Sequence, residues 1–292
     1  MRGYRYTNLT SALRDRDSPL RRYLDERFPK VRVLQADYRA KCGPLLVDGG
    51  SADPATLGAA FDLEVRFRLD PAEPPTIAAL GFADRPERVR TVVEVMRTGR
   101  DAVGRGDGDL LARACWALAL CTEVYRVGVR RASPLWGLLE RDRFTASALL
   151  ALAPADAVRQ LAELRDVAAG RLLPHLSAPY ALGPTFDGSR LCAADADLIA
   201  DGLLLDLKTR LGAKNPRTGR RSDGLPRLDV YQLLGYTFFD HSDDYRIDAI
   251  GIYSARYGAL VTWPLQHALD VLAGEPVDVR AARERVWELL GE

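Results

Sequence analysis

The strongest constraint on this chain's fold is a change of hydrophobic period near Pro179. From residue 86 to 173, apolar side chains recur three and four apart, at Val89, Val92, Val93 and Met96 and then through 110–129, 144–152 and 155–173. That spacing belongs to helices with one buried face. Beyond Pro179 the pattern becomes short runs at 184–191, 192–200, 203–208, 248–253 and 259–263, with one helical run at 228–239 and a terminal helix at 277–290. Asp201-Gly202 between two apolar runs is a strong two-residue hairpin signal, and Tyr257-Gly258 marks a second turn. The order β-β-β-α-β-β predicts an α+β sheet domain.

Upstream, residues 1–50 look mixed and partly helical. Ser18-Pro19 opens a short basic helix through Arg27, and Asp53-Pro54 opens another with apolar positions 57, 60, 61, 65 and 69. Pro71, Pro74 and Pro75 end it. The glycines between 104 and 108 predict a flexible break, and Pro134 and Pro154 punctuate the later helices. These signals divide the chain into an N-terminal segment with the first core helix (1–75), a helical region (76–175) and a sheet-bearing core (176–292), forming one intertwined unit.

With a net charge of +1, no global field draws the chain to nucleic acid, so any basic surface must be local. No apolar run approaches the roughly 18 residues of a membrane span, and Met1-Arg2-Gly3-Tyr4-Arg5 lacks the apolar stretch of a signal peptide. Cys42, Cys115, Cys121 and Cys192 show no CxxC spacing, which predicts reduced, mostly buried thiols in a cytoplasmic protein. His175, His241 and His267 are scattered, against a zinc site or a histidine-based nuclease.

Only four lysines stand among 41 basic residues, and one is Lys208 in Asp206-Leu207-Lys208. In a chain that uses Arg nearly everywhere, a compact ammonium suggests a specific need. On a strand, Asp206 and Lys208 share a face, as do Asp195 and Asp197 on the preceding strand. Antiparallel pairing then brings one of those aspartates near Asp206. Two carboxylates with a backbone carbonyl and waters suit Mg2+ or Mn2+, and Lys208 is placed to orient or deprotonate a water. The bland alternative is a surface hairpin with alternating polar residues. Leu198, Ile199, Leu203, Leu204, Leu205 and Leu207 speak for an interior strand instead, where charges need a reason. On the following helix Gln232 and Tyr236, four apart, share a face.

Asp197, Asp206, Lys208, Gln232 and Tyr236 together resemble, in order, type and approximate spacing, the PD-(D/E)xK nuclease superfamily, specifically its RecB-like branch. The resemblance covers about residues 184–264 and one helix upstream. It implies a restriction-endonuclease-like core, a central mixed sheet flanked by helices, here with a large helical insertion; 176–292 would be the catalytic core. It implies carboxylate ligation of Mg2+ or Mn2+, a Lys that assists the water, and Gln and Tyr that support the site or touch nucleic acid. Asp195 competes with Asp197 as ligand. The family's helix-borne acid matches Glu64 in Gly58-Ala59-Ala60-Phe61-Asp62-Leu63-Glu64, although Asp62 stands where many members have His. Glu123 is the alternative, and for both a plain salt bridge, to Arg66 or Arg126, competes. The iron–sulfur variant is excluded, because no cysteine follows Cys192.

The polar loop after Lys208 carries Arg210, Lys214, Arg217, Arg220, Arg221 and Arg227 against one acid, Asp223. Its glycines and prolines predict mobility, and its charge a grip on phosphates. Arg14, Arg16, Arg21, Arg22 and Arg27 extend that surface in principle, partly cancelled by Asp15, Asp17, Asp25 and Glu26. The expected function is metal-dependent phosphodiester hydrolysis, with DNA favoured over RNA, in repair or anti-phage defence, alongside a helicase, ATPase or other defence partner and no membrane. The rival is a catalytically silent nucleic-acid- or protein-binding subunit with the same fold.

Overall fold

The computed structural model describes residues 4–73 and 75–291. Pro74 and the first three residues, on which the stop after the Asp53 helix and the reading of the N-terminus partly rest, lie outside them. The chain forms two compact units. One comprises the chain up to Pro44, His175–Lys208 and the chain from Gly212 onward; the other comprises Leu45–Pro174 with Thr209–Leu211. The boundaries therefore fall at 44/45 and 174/175 rather than at 75/76, and the Asp53 helix groups with the helical region.

The first unit opens with helices α1 (Leu9–Arg14), α2 (Pro19–Arg27) and α3 (Arg32–Lys41). Asn8 caps α1 by accepting from Ser11 N. Pro19 sits at the first position of α2, as expected, but Ser18 makes no side-chain cap and pairs with the Tyr4 hydroxyl at 3.1 Å. Leu20, Leu24, Phe28, Leu34 and Tyr38 are buried in the unit's core. Arg21 pairs with Asp25, Arg22 with Asp17 and Arg27 with Glu275, so most of the N-terminal basic surface is neutralised.

The second unit is helical: α4 (Pro54–Leu69), α5 (Ile77–Leu80), α6 (Pro86–Arg105), α7 (Gly108–Val127), α8 (Pro134–Glu140), α9 (Ala146–Leu150) and α10 (Ala155–Arg171). Helix α7 is apolar almost all round, which suits a helix surrounded by others, and α4, α5, α6, α9 and α10 pack against it. This packing is why α4 belongs here. The glycine break is a defined turn: Gly106 takes φ 67° at the end of α6, and Asp107 caps α7 by accepting from Leu110 N.

The chain then returns to the first unit with β1 (Tyr180–Leu182), β2 (Leu198–Ala200), β3 (Leu203–Lys208), β4 (Ala213–Lys214), β5 (Arg221–Ser222), α11 (Arg227–Phe239), β6 (Ala249–Ser254), β7 (Ala259–Pro264), α12 (Leu265–Ala273) and α13 (Val279–Gly291). A five-stranded sheet runs β1-β2-β3-β6-β7. Only β3–β6 is parallel, so the sheet is mixed and the fold is α+β. A parallel neighbour requires a crossover, and α11 lies within it. Of the strand and turn expected over 184–191, the turn is present as a 3-10 turn at Asp187–Arg190, while the strand, β1, precedes the run. The long strand expected over 192–200 shortens to β2, because Ala193 bridges to Asn8 and Asp195 to Thr185 instead. Among the described residues, no helix is long and apolar enough to cross a membrane, and none of the four cysteines is in a disulfide.

Candidate active site

Asp201 (φ 45°) and Gly202 (φ 83°) turn the chain between β2 and β3. Positive φ at both central residues matches the twist of paired strands. A side chain at 202 would meet the Asp248 carboxylate at 2.8 Å, so glycine is required there. The turn fixes the register Ala200↔Leu203, Ile199↔Leu204 and Leu198↔Leu205. One step further along come Asp197 and Asp206. The ladder ends there because Asp197 Oδ2 accepts from Leu207 N at 2.7 Å.

Strand alternation puts Leu204, Asp206 and Lys208 on one face. Lys208 Nζ lies 2.6 Å from Asp206 Oδ2 and donates to Gln232 Oε1 at 3.3 Å. Gln232 Nε2 in turn donates to the Tyr236 hydroxyl at 2.6 Å. The Tyr236 ring stacks on Phe186, with centroids 5.7 Å apart. A carboxylate, an ammonium, an amide and a phenol thus form one continuous polar chain from strand to helix. The expected Asp206, Lys208, Gln232 and Tyr236 come together, with Asp197 beside Asp206.

Asp206 is buried, and burial pushes its carboxyl up to about 7, against the pull of Lys208 and with a further push from Asp197. The Lys208 ammonium closes on Asp206 Oδ2 as a short, charge-assisted ion pair. Burial pulls the Lys208 ammonium down, but Asp206, Asp229 and Asp197 outweigh it and hold it protonated, above its ordinary value. Burial also pushes Tyr236 well up, with the charges of Asp206 and Asp197 adding to it, so the phenol keeps its proton. Asp229, in the first turn of α11, was missed by sequence reasoning. Its spacing of three from Gln232 and seven from Tyr236 on one helix face was the signal available.

Asp195 is not gathered into a three-carboxylate set. Among the described residues no group of three or more His, Cys, Asp or Glu side chains is arranged to hold a metal; Asp195 bridges to Thr185 through its backbone, and its charge adds to those acting on Tyr236. Glu64 lies in the helical unit, 1 % exposed, with Arg165 Nη1 3.1 Å from its Oε1. Burial raises its carboxyl to about 7 despite Arg165. Arg66, the partner considered from sequence, pairs with Asp62. Glu123 pairs with Arg130.

The polar stretch after Lys208 is an ordered hairpin, β4–β5, rather than an irregular loop. It carries Lys214, Arg217, Arg220 and Arg221. Arg210 falls in the short segment grouped with the helical unit. Arg227 is engaged elsewhere, bonded to Asp25 at 2.8 Å and lying over the Tyr231 ring. The return from the hairpin is anchored by Asp223, whose buried Oδ2 accepts from the Tyr38 and Ser254 hydroxyls, each at 2.6 Å. No protein-family model, curated protein or solved structure matches this chain.

Proposed function

We propose that this chain is a metal-dependent nuclease of the RecB-like branch of the PD-(D/E)xK superfamily, hydrolysing phosphodiester bonds in DNA in preference to RNA. The observation that carries the reading is the polar chain Asp206–Lys208–Gln232–Tyr236, with Asp197 beside it. A surface hairpin has no need of a buried acid paired with a largely buried ammonium.

Asp197 and Asp206 would hold Mg2+ or Mn2+; two carboxylates completed by waters suit a hard cation, which keeps much of its hydration shell. The bound ion would activate a water and neutralise charge on the scissile phosphate. Lys208 would orient or deprotonate the water and offset charge on a phosphate oxygen, from its place between Asp206 and Gln232. Gln232 sets the direction of that ammonium, and Tyr236 fixes the amide by accepting from its Nε2. Phe186 holds the Tyr236 ring in place.

The test is incubation of purified protein with plasmid, linear duplex and single strands in Mg2+, Mn2+ or EDTA. The expected result is metal-dependent cleavage that Lys208→Ala abolishes without loss of folding or nucleic-acid binding. Nucleic-acid binding without cleavage in any divalent metal would establish the silent-subunit reading instead. Undiminished cleavage by Lys208→Ala would assign the activity to another site.

A further inference from the structure

The β4–β5 hairpin gathers several cationic side chains whose charge is left unanswered. Arg21, Arg22, Arg27, Arg227 and Arg283 all have carboxylate partners. Lys214, Arg217 and Arg220 are exposed and have none among the described residues. Lys214 stands directly opposite Arg221 in the ladder. Like charges facing each other across strands destabilise a pair, so the hairpin is built against its own local stability.

It is nevertheless held by specific local bonds. At the tip, Asn215 Oδ1 accepts from Arg217 N at 2.9 Å and Thr218 N at 3.1 Å, and Gly219 turns with φ 69°. At the root, Gly212 has φ 68° and lies so close to Ser222 that an added Cβ would meet the Ser222 carbonyl oxygen at 2.2 Å. Arg221 Nη1 donates to Gly212 O at 3.1 Å, and Asp223 pins the exit. A cationic two-stranded ribbon therefore stands between Lys208 and α11.

We propose that this ribbon enters the major groove of B-form duplex DNA, with Arg217 and Arg220 at its leading end. This rests on the nuclease reading and names its substrate as a duplex. The groove, about 12 Å wide, admits a two-stranded ribbon, whereas the minor groove, about 6 Å wide, does not. Single-strand binders stack bases on aromatic side chains, and residues 213–222 contain none. Duplex RNA presents a deep, narrow major groove that side chains cannot read.

The experiment is fluorescence anisotropy in EDTA, with one labelled sequence as duplex DNA, single-stranded DNA and duplex RNA. It compares the wild type with Arg217→Gln/Arg220→Gln across a salt series. Neither guanidinium is bonded within the described residues, so the double variant keeps its fold, which circular dichroism checks. Wild type should bind duplex DNA most tightly. The variant should bind that ligand about tenfold or more weakly, with the log–log salt slope shallower by about 0.9 for each phosphate it no longer neutralises. Equal duplex affinity of variant and wild type overturns the proposal. So does a wild type that binds single strands or duplex RNA as tightly as duplex DNA, or that binds none of the three. Cleavage plays no part in this measurement. Ribbon-dependent binding without cleavage in any metal removes the nuclease reading alone; cleavage with normal binding by the variant removes the ribbon alone.

Discussion

The Asp197 carboxylate accepts from the Leu207 backbone N–H at 2.7 Å, although the β2–β3 ladder has already ended at Leu198↔Leu205. The side chain takes the place of a strand, and in doing so it is held beside Asp206. Asp197→Ala leaves that donor in a half-buried position without its partner, at a cost of about 1–3 kcal/mol. Asp197→Asn retains an acceptor and should recover most of that loss while failing to restore cleavage. Urea unfolding beside a cleavage assay separates the two effects; equal stability of the Ala variant and wild type would count against the bond.

Along the polar chain the damage should grade with distance from Asp206. Lys208→Ala should lower cleavage by about 100-fold or more, the scale of losing a positioned charge-stabilising donor. Gln232→Leu, which leaves the ammonium undirected, should cost about tenfold, and Tyr236→Phe less. Single-turnover rates at saturating metal measure the series. A Tyr236→Phe effect equal to that of Lys208→Ala would break the proposed order.

Glu64 supplies a pH dependence in the helical unit. Its folded-state carboxyl sits at about 7, against about 4.3 in an unfolded chain. A raised acid adds stability below its unfolded value and loses it as pH rises through its folded value. Wild type should therefore fall relative to Glu64→Gln by roughly 2–3 kcal/mol between pH 4.5 and 7.5. Urea midpoints of both proteins across that window decide it, and parallel profiles would contradict it.

Gly212→Ala tests the hairpin root. The added methyl meets the Ser222 carbonyl oxygen at 2.2 Å, at a φ of 68° that L residues rarely adopt. The variant should fold globally but open locally. Trypsin should then cut after Arg217, Arg220 or Arg221 faster than in wild type, while the far-ultraviolet dichroism stays unchanged. Unaltered digestion would show that the root tolerates the change.

What could be read from the sequence followed locality. Asp201-Gly202 encodes its own turn, so β2, β3 and the facing of Asp206 and Lys208 were visible, as was the helical face shared by Gln232 and Tyr236. The grouping of Glu64 was not, because it depends on α4 packing against α7, an association that no short window contains. The run at 184–191 has strand-like composition, but Ser189 Oγ accepts from Phe186 N and curls it into a 3-10 turn. The β4–β5 ribbon was hidden by the glycines and prolines that make it turn, which also mark irregular loops.

The close approach of Gly212 and Ser222 has a consequence for how such a protein can change. The chain leaves β3 and heads back toward α11 through one closed neck, fastened on the return side by Asp223 to Tyr38 and Ser254. A ribbon lengthened or shortened by whole strand pairs beyond that neck leaves Lys208 and Gln232 where they stand. The polar chain and the surface beside it are therefore free to diversify separately, and a hairpin exchanged at the neck would change that surface without disturbing Asp206.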